Sequence, residues 1–210
     1  MPHITLNTDI PGISGLFRYR PETAVPMEEL AEVLLRGPNT LTRGERELIA
    51  AYVSTLNECR FCSSSHAAFA AAQLPGGMPQ VRQAFGGAGA GIAVGIDAGA
   101  TGASEAGSAE EAGSAEEADG AEEAPVSAKL RALLDIAGAV REGGLNVTTQ
   151  LVDAARTAGA TDIEIHDTVL IAAAFCMMNR YVDGLATFAP DDPEAYALSA
   201  KRIVEHGYRA

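Results

Sequence analysis

Four residues of types that carry proton and electron chemistry lie within twenty positions of the sequence. Glu47 precedes a Cys-x-x-Cys pair, Cys59 and Cys62, and His66 follows the pair by four residues. A dithiol of this spacing can close to a disulfide, while a carboxylate and an imidazole can move the protons that accompany cleavage of an O–O bond. The pattern therefore predicts reduction of a peroxide by thiol chemistry.

The cysteine segment has the pattern of a helix start. On a helix, offsets of three and seven residues place Cys62 and His66 within roughly 60° of Cys59 around the axis, so the three side chains share one face. In a first helical turn, unpaired amide groups and the helix dipole favour a thiolate over a thiol. Small residues follow Glu47 at helical spacing on the preceding helix, which lets the two helices approach closely.

Other interpretations of these residues stay open at this point. Glu47 also fits an exposed first-turn acid paired with Arg43, and His66 also fits a capping or packing role. The dithiol and His66 could supply three ligands of a zinc site, although no second Cys/His pair lies at zinc-finger spacing. A non-catalytic redox switch would use the same pair. A thioredoxin-like site is disfavoured because that motif adjoins a βαβ unit, whereas helices flank the pair here.

Proline, glycine and capping residues divide the first part of the chain. Turn-forming residues predict an ordered strap from Pro11 to Pro26, and a proline in an opening turn predicts that the first helix begins near Pro26. Thr42 and Glu45 form a Thr-x-x-Glu capping-box pattern before the helix that carries Glu47. The predicted helices are 26–37, 42–57 and one from Cys59 to the residues before Pro75.

The last third of the chain repeats some of these signals. A second Thr-x-x-Glu pattern, Thr161 to Glu164, opens a long helix, and both capped helices carry Leu-Ile-Ala-Ala, at 48–51 and at 170–173. We predict further helices that end near Gly143, cover 148–158 and run from Pro193 to Gly207. No segment has convincing strand alternation. The sequence therefore predicts an all-α fold, a compact helical domain of about seven or eight helices with a degenerate internal repeat.

Residues 86–124 differ from the rest of the chain in composition. They are almost entirely Gly, Ala, Ser, Glu and Thr, and a Glu recurs every six residues from Glu105 to Glu123. Low hydrophobicity and like charge predict a disordered acidic linker, because such a segment cannot offset the entropy of ordering. A tolerated insertion is favoured over a functional acidic tail. We expect an N-terminal unit over 1–85 and a C-terminal unit over 125–210 to form one structural domain.

Composition narrows the classes of function. The chain has 210 residues, 47% of them hydrophobic, which is enough for one sizeable core. The formal net charge is −13, and nine acidic residues from Asp97 to Glu123 supply most of it, so no basic surface for nucleic acid is expected. Neither a signal peptide nor a membrane-spanning run is recognisable. Two of the three cysteines share one motif, which fits a reducing compartment, and we expect a cytoplasmic protein.

The spacing of the four reactive residues resembles the signature of the alkylhydroperoxidase D-like proteins within the carboxymuconolactone decarboxylase superfamily. The flanking segments 35–47 and 164–175 resemble its uncharacterised peroxidase-related branch. The similarity covers nearly everything outside the acidic linker. Four residues at fixed spacing, together with these flanks, make the resemblance specific.

The resemblance implies an all-helical fold that usually oligomerises, and thiol-dependent peroxidase activity on organic hydroperoxides. Carried over by position, Cys62 attacks the peroxide and becomes a sulfenic acid, Cys59 resolves it to a disulfide, and Glu47 and His66 form the proton relay. A dithiol donor, lipoyl-linked in some members, then reduces the disulfide. No cofactor is implied, and decarboxylation of a muconolactone is disfavoured because that branch lacks the cysteine pair.

One position departs from the family pattern, and several other residues are candidates for the site. The best-known members carry a second histidine just before the attacking cysteine, where this chain has Phe61, so proton transfer there must use water or another group. Cys176 is expected to be a small buried hydrophobe. Arg180 and Asp183 fit either a place in the cysteine pocket or an ordinary ion pair. Asn179 and Tyr181 are further candidates for the cysteine pocket. For His166 and Asp167, capping or a subunit contact is as good an explanation as catalysis.

Overall fold

The computed structural model describes residues 1–6, 8–86 and 125–209, and these ranges are helical without strands. Their helices are α1 Gly12–Tyr19, α2 Pro21–Arg36, α3 Arg43–Leu56, α4 Arg60–Ala71, α5 Gly77–Phe85, α6 Ala128–Glu142, α7 Thr149–Thr157, α8 Asp162–Gly184 and α9 Pro193–His206, with a 3₁₀ turn at Gly144–Asn146. The all-α prediction is confirmed. In the described ranges, no helix has the length and apolarity that crossing a membrane requires. Residues 87–124 of the predicted acidic linker lie outside the described residues.

Both predicted capping boxes are present. At the start of α3, the Glu45 amide donates to the Thr42 hydroxyl at 3.2 Å and the Thr42 amide donates to the Glu45 carboxylate at 2.8 Å. At the start of α8, Thr161 and Glu164 exchange the same two bonds at 3.3 and 2.7 Å. Each box satisfies amide groups that have no partner within the helix. The internal repeat that the boxes suggested stays a prediction.

The N-terminal strap and one later segment are more helical than predicted. Helix α1 lies within the strap, and α2 begins at Pro21 rather than near Pro26, which lies inside the helix. A proline is well placed at the first helical position, and one at the sixth removes a single backbone hydrogen bond. Burial of Leu16 and Ala31 offsets that loss. Helix α5 is also additional, so the described residues contain nine α-helices.

Helix α3 lies at the centre of the bundle. It packs against α4, α6 and α8, and its apolar residues Leu48, Ile49 and Val53 are fully buried. The small residues Ala50 and Ala51 are fully buried as well, as expected for a face that allows a neighbouring helix to approach closely. The pairing of α3 with α4 brings Glu47 next to the helix that follows the two cysteines.

Glu164 connects three elements on the other side of the bundle. Its carboxylate accepts a hydrogen bond from Lys129 of α6 at 2.7 Å and one from the Thr40 hydroxyl of the α2–α3 loop at 2.8 Å. Burial by itself raises the pKa of Glu164, but the hydrogen bonds from Lys129, the Thr161 amide and Thr40 outweigh it and lower the pKa to about 2. Glu164 is therefore held as a carboxylate by its partners.

Candidate active site

The two cysteines lie at the start of α4. Glu58 has a left-handed backbone with φ 59°, which separates α4 from α3, and the Cys59 amide donates to the Ser54 carbonyl at 3.0 Å. Cys59 is the residue that caps α4, and Cys62 is the third residue of the helix. The positive end of the helix dipole therefore lies at the dithiol, where it favours a thiolate.

The two thiols differ in their surroundings. All three cysteines of the chain are free and buried. A hydrogen bond with Cys62, together with burial and a hydrogen bond with Asp183, raises the pKa of the Cys59 thiol far above its usual range. Burial also raises the pKa of Asp183, against the opposing effect of its bond with Cys59. Cys59 is fully buried, whereas Cys62 keeps 3% exposure and lines a small cavity that Cys59 does not reach, so the geometry favours Cys62 as the attacking sulfur.

Glu47 is buried and bonded on both oxygens. Its side chain is 1% exposed, and Oε2 lies 2.7 Å from His66 Nδ1. The Tyr208 hydroxyl donates to Oε1 at 2.7 Å. The alternative of an exposed acid paired with Arg43 is therefore wrong. The predicted pairing of a carboxylate with an imidazole across α3 and α4 is present.

The His66 ring is fixed by its neighbours. The rings of Phe69 and Phe175 meet it edge-on, with centroids at 5.1 and 4.5 Å, and the Tyr208 ring is nearly parallel to it at 6.3 Å. In the neutral form of an imidazole, a carboxylate next to Nδ1 favours the ring hydrogen on that nitrogen and leaves the Nε2 lone pair free. His66 is thus oriented as a base whose second nitrogen is available for proton transfer.

A small cavity of about 60 Å³ adjoins these groups. Cys62, His66 and Tyr208 line it together with apolar side chains and one acid, namely Ile13, Phe17, Met27, Glu28, Ala31, Phe61, Phe175 and Met178. The cavity is therefore mostly apolar, with a sulfur, an imidazole and a phenol in its wall. An open groove of about 580 Å³ between α4 and α9 is larger, but the residues that line it include neither the cysteines nor His66.

Phe61 forms a rigid part of the cavity wall. Gly12 at the start of α1 has φ +57°, and a Cβ on it would lie 2.2 Å from a Phe61 ring carbon. Helix α1 therefore begins in direct contact with the phenyl ring. Because a phenyl group transfers no protons, the Phe61 side chain does not take the role of the second histidine found in the resembling family.

The remaining candidates on α8 have different partners. Asp183 contacts Cys59 and so belongs to the cysteine pocket. Arg180 donates to the Cys176 carbonyl at 2.9 Å instead of pairing with Asp183. Cys176 is buried among core residues at 7% exposure, as predicted, and its sulfur accepts a bond from Asn57 at 3.5 Å.

Other polar candidates serve the scaffold. The Asn179 side chain bonds Asn57 at 2.9 Å and Ser54 at 3.0 Å, which fixes the end of α3 just before the cysteines. His166 is largely exposed and lies 2.9 Å from Asp167, which in turn accepts a bond from Asn39. Within the described ranges, no group of three or more His, Cys, Asp or Glu side chains is arranged to hold a metal ion. The zinc alternative therefore finds no support in the geometry.

Tyr208 is the site residue that sequence reasoning missed. It lies 161 positions after Glu47, so no local spacing connects the two. The sequence carries only a weak signal for this role, namely a tyrosine directly after Gly207, the residue that ends the last helix. Long-range contacts of this kind depend on how α2, α3 and α9 pack.

Comparison with known protein families finds a match over part of the chain. Residues 21–74 match the Carboxymuconolactone decarboxylase family, and this range contains Glu47, both motif cysteines and His66. Together with the helical fold, the match confirms the resemblance to the alkylhydroperoxidase D-like and carboxymuconolactone decarboxylase superfamily.

Two solved structures share the fold. An uncharacterised peroxidase-related protein from Silicibacter sp. TM1040 is 20% identical, with a TM-score of 0.63 over 90% of this chain and 79% of that one. An alkylhydroperoxidase AhpD core protein from Ralstonia eutropha JMP134, also described as uncharacterised and peroxidase-related, is 21% identical, with a TM-score of 0.63 over 91% and 82%. No curated protein matches the sequence.

Proposed function

We propose that this protein is a thiol-dependent peroxidase that reduces organic hydroperoxides through a Cys59/Cys62 disulfide, with Glu47 and His66 as its proton relay. The observation that carries the proposal is the cavity that Cys62 and His66 share, with the Glu47 carboxylate 2.7 Å from the imidazole. A sulfur nucleophile next to an oriented base is the arrangement that activates cysteines. The alkylhydroperoxidase-like fold supports the same assignment.

The first step oxidises Cys62. His66 takes the proton of the Cys62 thiol, and the thiolate attacks the terminal oxygen of the hydroperoxide. The S–O bond forms as the O–O bond breaks, the sulfur becomes a sulfenic acid, and His66 returns the proton to the alkoxide, which leaves as an alcohol. Proton transfer by a positioned side chain typically contributes about 10² to 10⁴ in rate.

The second step closes the disulfide. The Cys59 sulfur attacks the sulfenic sulfur of Cys62, the S–S bond forms, and the hydroxide takes the Cys59 proton and leaves as water. Asp183, in contact with Cys59, is placed to accept that proton on the way. A dithiol reductant, of lipoyl type by resemblance, then returns two electrons and two protons and is itself oxidised to a disulfide.

The proposal extends to substrate and assembly. A cavity of about 60 Å³ with apolar walls suits a small uncharged hydroperoxide better than an anionic one. Apolar side chains exposed on α2 and α8, such as Val25 at 66%, Val33 at 56% and Met177 at 47%, fit a homo-oligomer. We place the protein in the cytoplasm, without nucleic-acid or membrane partners.

Rapid-mixing assays of hydroperoxide consumption with a dithiol donor test the proposal. Cys62→Ser should abolish turnover, whereas Cys59→Ser should consume one equivalent of peroxide and then stop at the sulfenic acid. Cys176→Ser is the matched control, since a serine there can still accept the Asn57 bond, and it should turn over like wild type. Equal residual activity in the first two variants would contradict the assigned roles. One zinc per chain with no peroxide consumption would instead indicate a zinc-binding or redox-switch protein.

A further inference from the structure

The C-terminal tail is fixed against α2. Gly207 has φ +84° and ends α9, and a Cβ at this position would lie 2.6 Å from the Glu32 carboxylate. The Tyr208 amide donates to Glu32 Oε2 at 2.9 Å, and Glu32 also pairs with Arg36 at 3.1 Å. Arg36 donates in turn to the Ile203 carbonyl at 2.8 Å. These contacts determine where the Tyr208 ring enters the bundle.

The Tyr208 ring reaches the candidate site from this anchor. It lines the cavity with Cys62 and lies parallel to His66, and its hydroxyl is 2.7 Å from Glu47 Oε1. Burial and the adjacent Glu47 carboxylate raise the pKa of Tyr208 well above its usual range. The phenol therefore keeps its hydrogen and donates it to Glu47.

We infer that Tyr208 is a positioning residue for peroxide reduction, whose hydroxyl holds Glu47 so that the other carboxylate oxygen faces His66 Nδ1. The inference rests on the proposed function and adds a third member to its relay. With Oε1 bound to the phenol, Oε2 receives the Nδ1 hydrogen and Nε2 is left to exchange protons with Cys62. A buried carboxylate that fixes the tautomer of an imidazole is a known requirement of proton relays.

Several charged or titratable groups face this relay and bear on its pH dependence. The residues that α1 and α8 contribute to the cavity wall are apolar. They are Ile13 and Phe17 of α1, and Phe175 and Met178 of α8. The charged or titratable neighbours are Cys62 of α4, Arg46 of α3, and Glu28, Glu32 and Arg36 of α2. Replacing Tyr208 by Phe leaves all of these in place and removes one hydrogen bond from Glu47.

The test compares Tyr208→Phe with Tyr196→Phe, which also loses one hydroxyl bond, to the Pro190 carbonyl at 2.9 Å. Loss of a hydrogen bond to a charged group in the transition state lowers the rate by about ten- to a hundredfold. Tyr208→Phe should lose that factor in kcat/KM, mainly in kcat, and the acidic limb of its pH–rate profile should move up by about one unit. Tyr196→Phe should keep the wild-type rate and profile. In a Glu47→Gln background, Tyr208→Phe should have no further effect.

A second measurement keeps this inference separate from the proposed function. Nitrogen NMR of His66 reports the ring tautomer without any peroxide. Wild type should hold the hydrogen on Nδ1, and Tyr208→Phe should show a mixture of tautomers. An unchanged tautomer, or an additive rate loss in the Glu47→Gln background, would overturn the inference. A wild-type protein without peroxidase activity would overturn the proposed function, and the NMR result would still decide whether Tyr208 positions Glu47.

Discussion

Glu47 of α3 and Glu164 of α8 are both fully buried, yet their partners differ in kind. Glu164 accepts bonds from the cation Lys129, from Thr40 and from the amide that begins its own helix. Glu47 is bonded to a phenol and to an imidazole, a group whose ring nitrogens can both donate and accept a proton. One carboxylate is thus fixed in its charged form, while the other lies next to an imidazole that can pass a proton.

The difference shows that burial alone does not identify a reactive acid. Both side chains are buried to nearly the same extent, and they differ in the groups to which they are hydrogen-bonded. A lysine ammonium and a helix amide stabilise the folded protein, whereas an imidazole beside a cavity and a thiol can serve chemistry. We therefore expect Glu47 substitutions to affect activity and Glu164 substitutions to affect stability.

In the comparison of the two buried acids, the largest effect is expected for Glu47→Gln. The amide of glutamine would donate to His66 Nδ1 and shift the ring hydrogen to Nε2, which then cannot accept a proton from Cys62. Steady-state peroxidase assays should show a loss of at least about tenfold in kcat/KM, with a melting temperature near that of wild type. A wild-type rate in this variant would return Glu47 to a structural role.

Glu164→Gln should show the reverse pattern. Removing one partner of a buried ion pair costs about 3 kcal/mol in the free energy of unfolding, measured by urea titration. The matched control is Glu45→Gln, which changes the corresponding capping-box acid of α3, where no lysine bond is involved, and should cost about 1 kcal/mol or less. Both variants should turn over like wild type, and a peroxidase defect in Glu164→Gln would erase the contrast.

The smallest effect is the contribution of Glu164 to the pH dependence of the free energy of unfolding. Its pKa of about 2 lies below the ordinary value of 4.5, so the unfolded chain binds the proton first and stability falls as the pH drops from about 4.5 towards 2. Between pH 7 and pH 3 wild type should lose about 2 kcal/mol more than Glu164→Gln. Equal acid sensitivity of the two proteins would show that Lys129 does not hold this carboxylate charged.

Local signals predicted much of the fold and part of the site. The two capping boxes, the helix that begins at the cysteines and the placement of Cys62 and His66 on it depend on neighbours within one or two turns. The strap is predicted too long because the segment from Pro11 to Pro26 is rich in turn formers and Pro26 fits an opening helical turn, although tertiary packing of Leu16 and Ala31 makes the segment helical.

The missing parts of the site are the ones set by distant contacts. Tyr208 reaches Glu47 through the packing of α9 and the tail on α2. The sequence names Asp183 as a candidate but leaves the cysteine pocket and an ion pair equally open, and the contact with Cys59 is made from the far end of α8. Neither contact leaves a periodic trace in the sequence. The burial of Glu47, which distinguishes a relay acid from an exposed ion pair, also depends on the placement of those elements.

The contact between Gly12 and Phe61 ties together two positions that are far apart in the chain. A side chain at position 12 would overlap the phenyl ring, and the glycine alone accepts the backbone angle there without strain. Among natural relatives that keep this backbone, position 12 should therefore remain glycine whatever residue stands at position 61. Substituting histidine for Phe61 would leave a void beneath α1 that no side chain at position 12 can fill without backbone strain, so regaining that proton donor requires a change in how α1 begins.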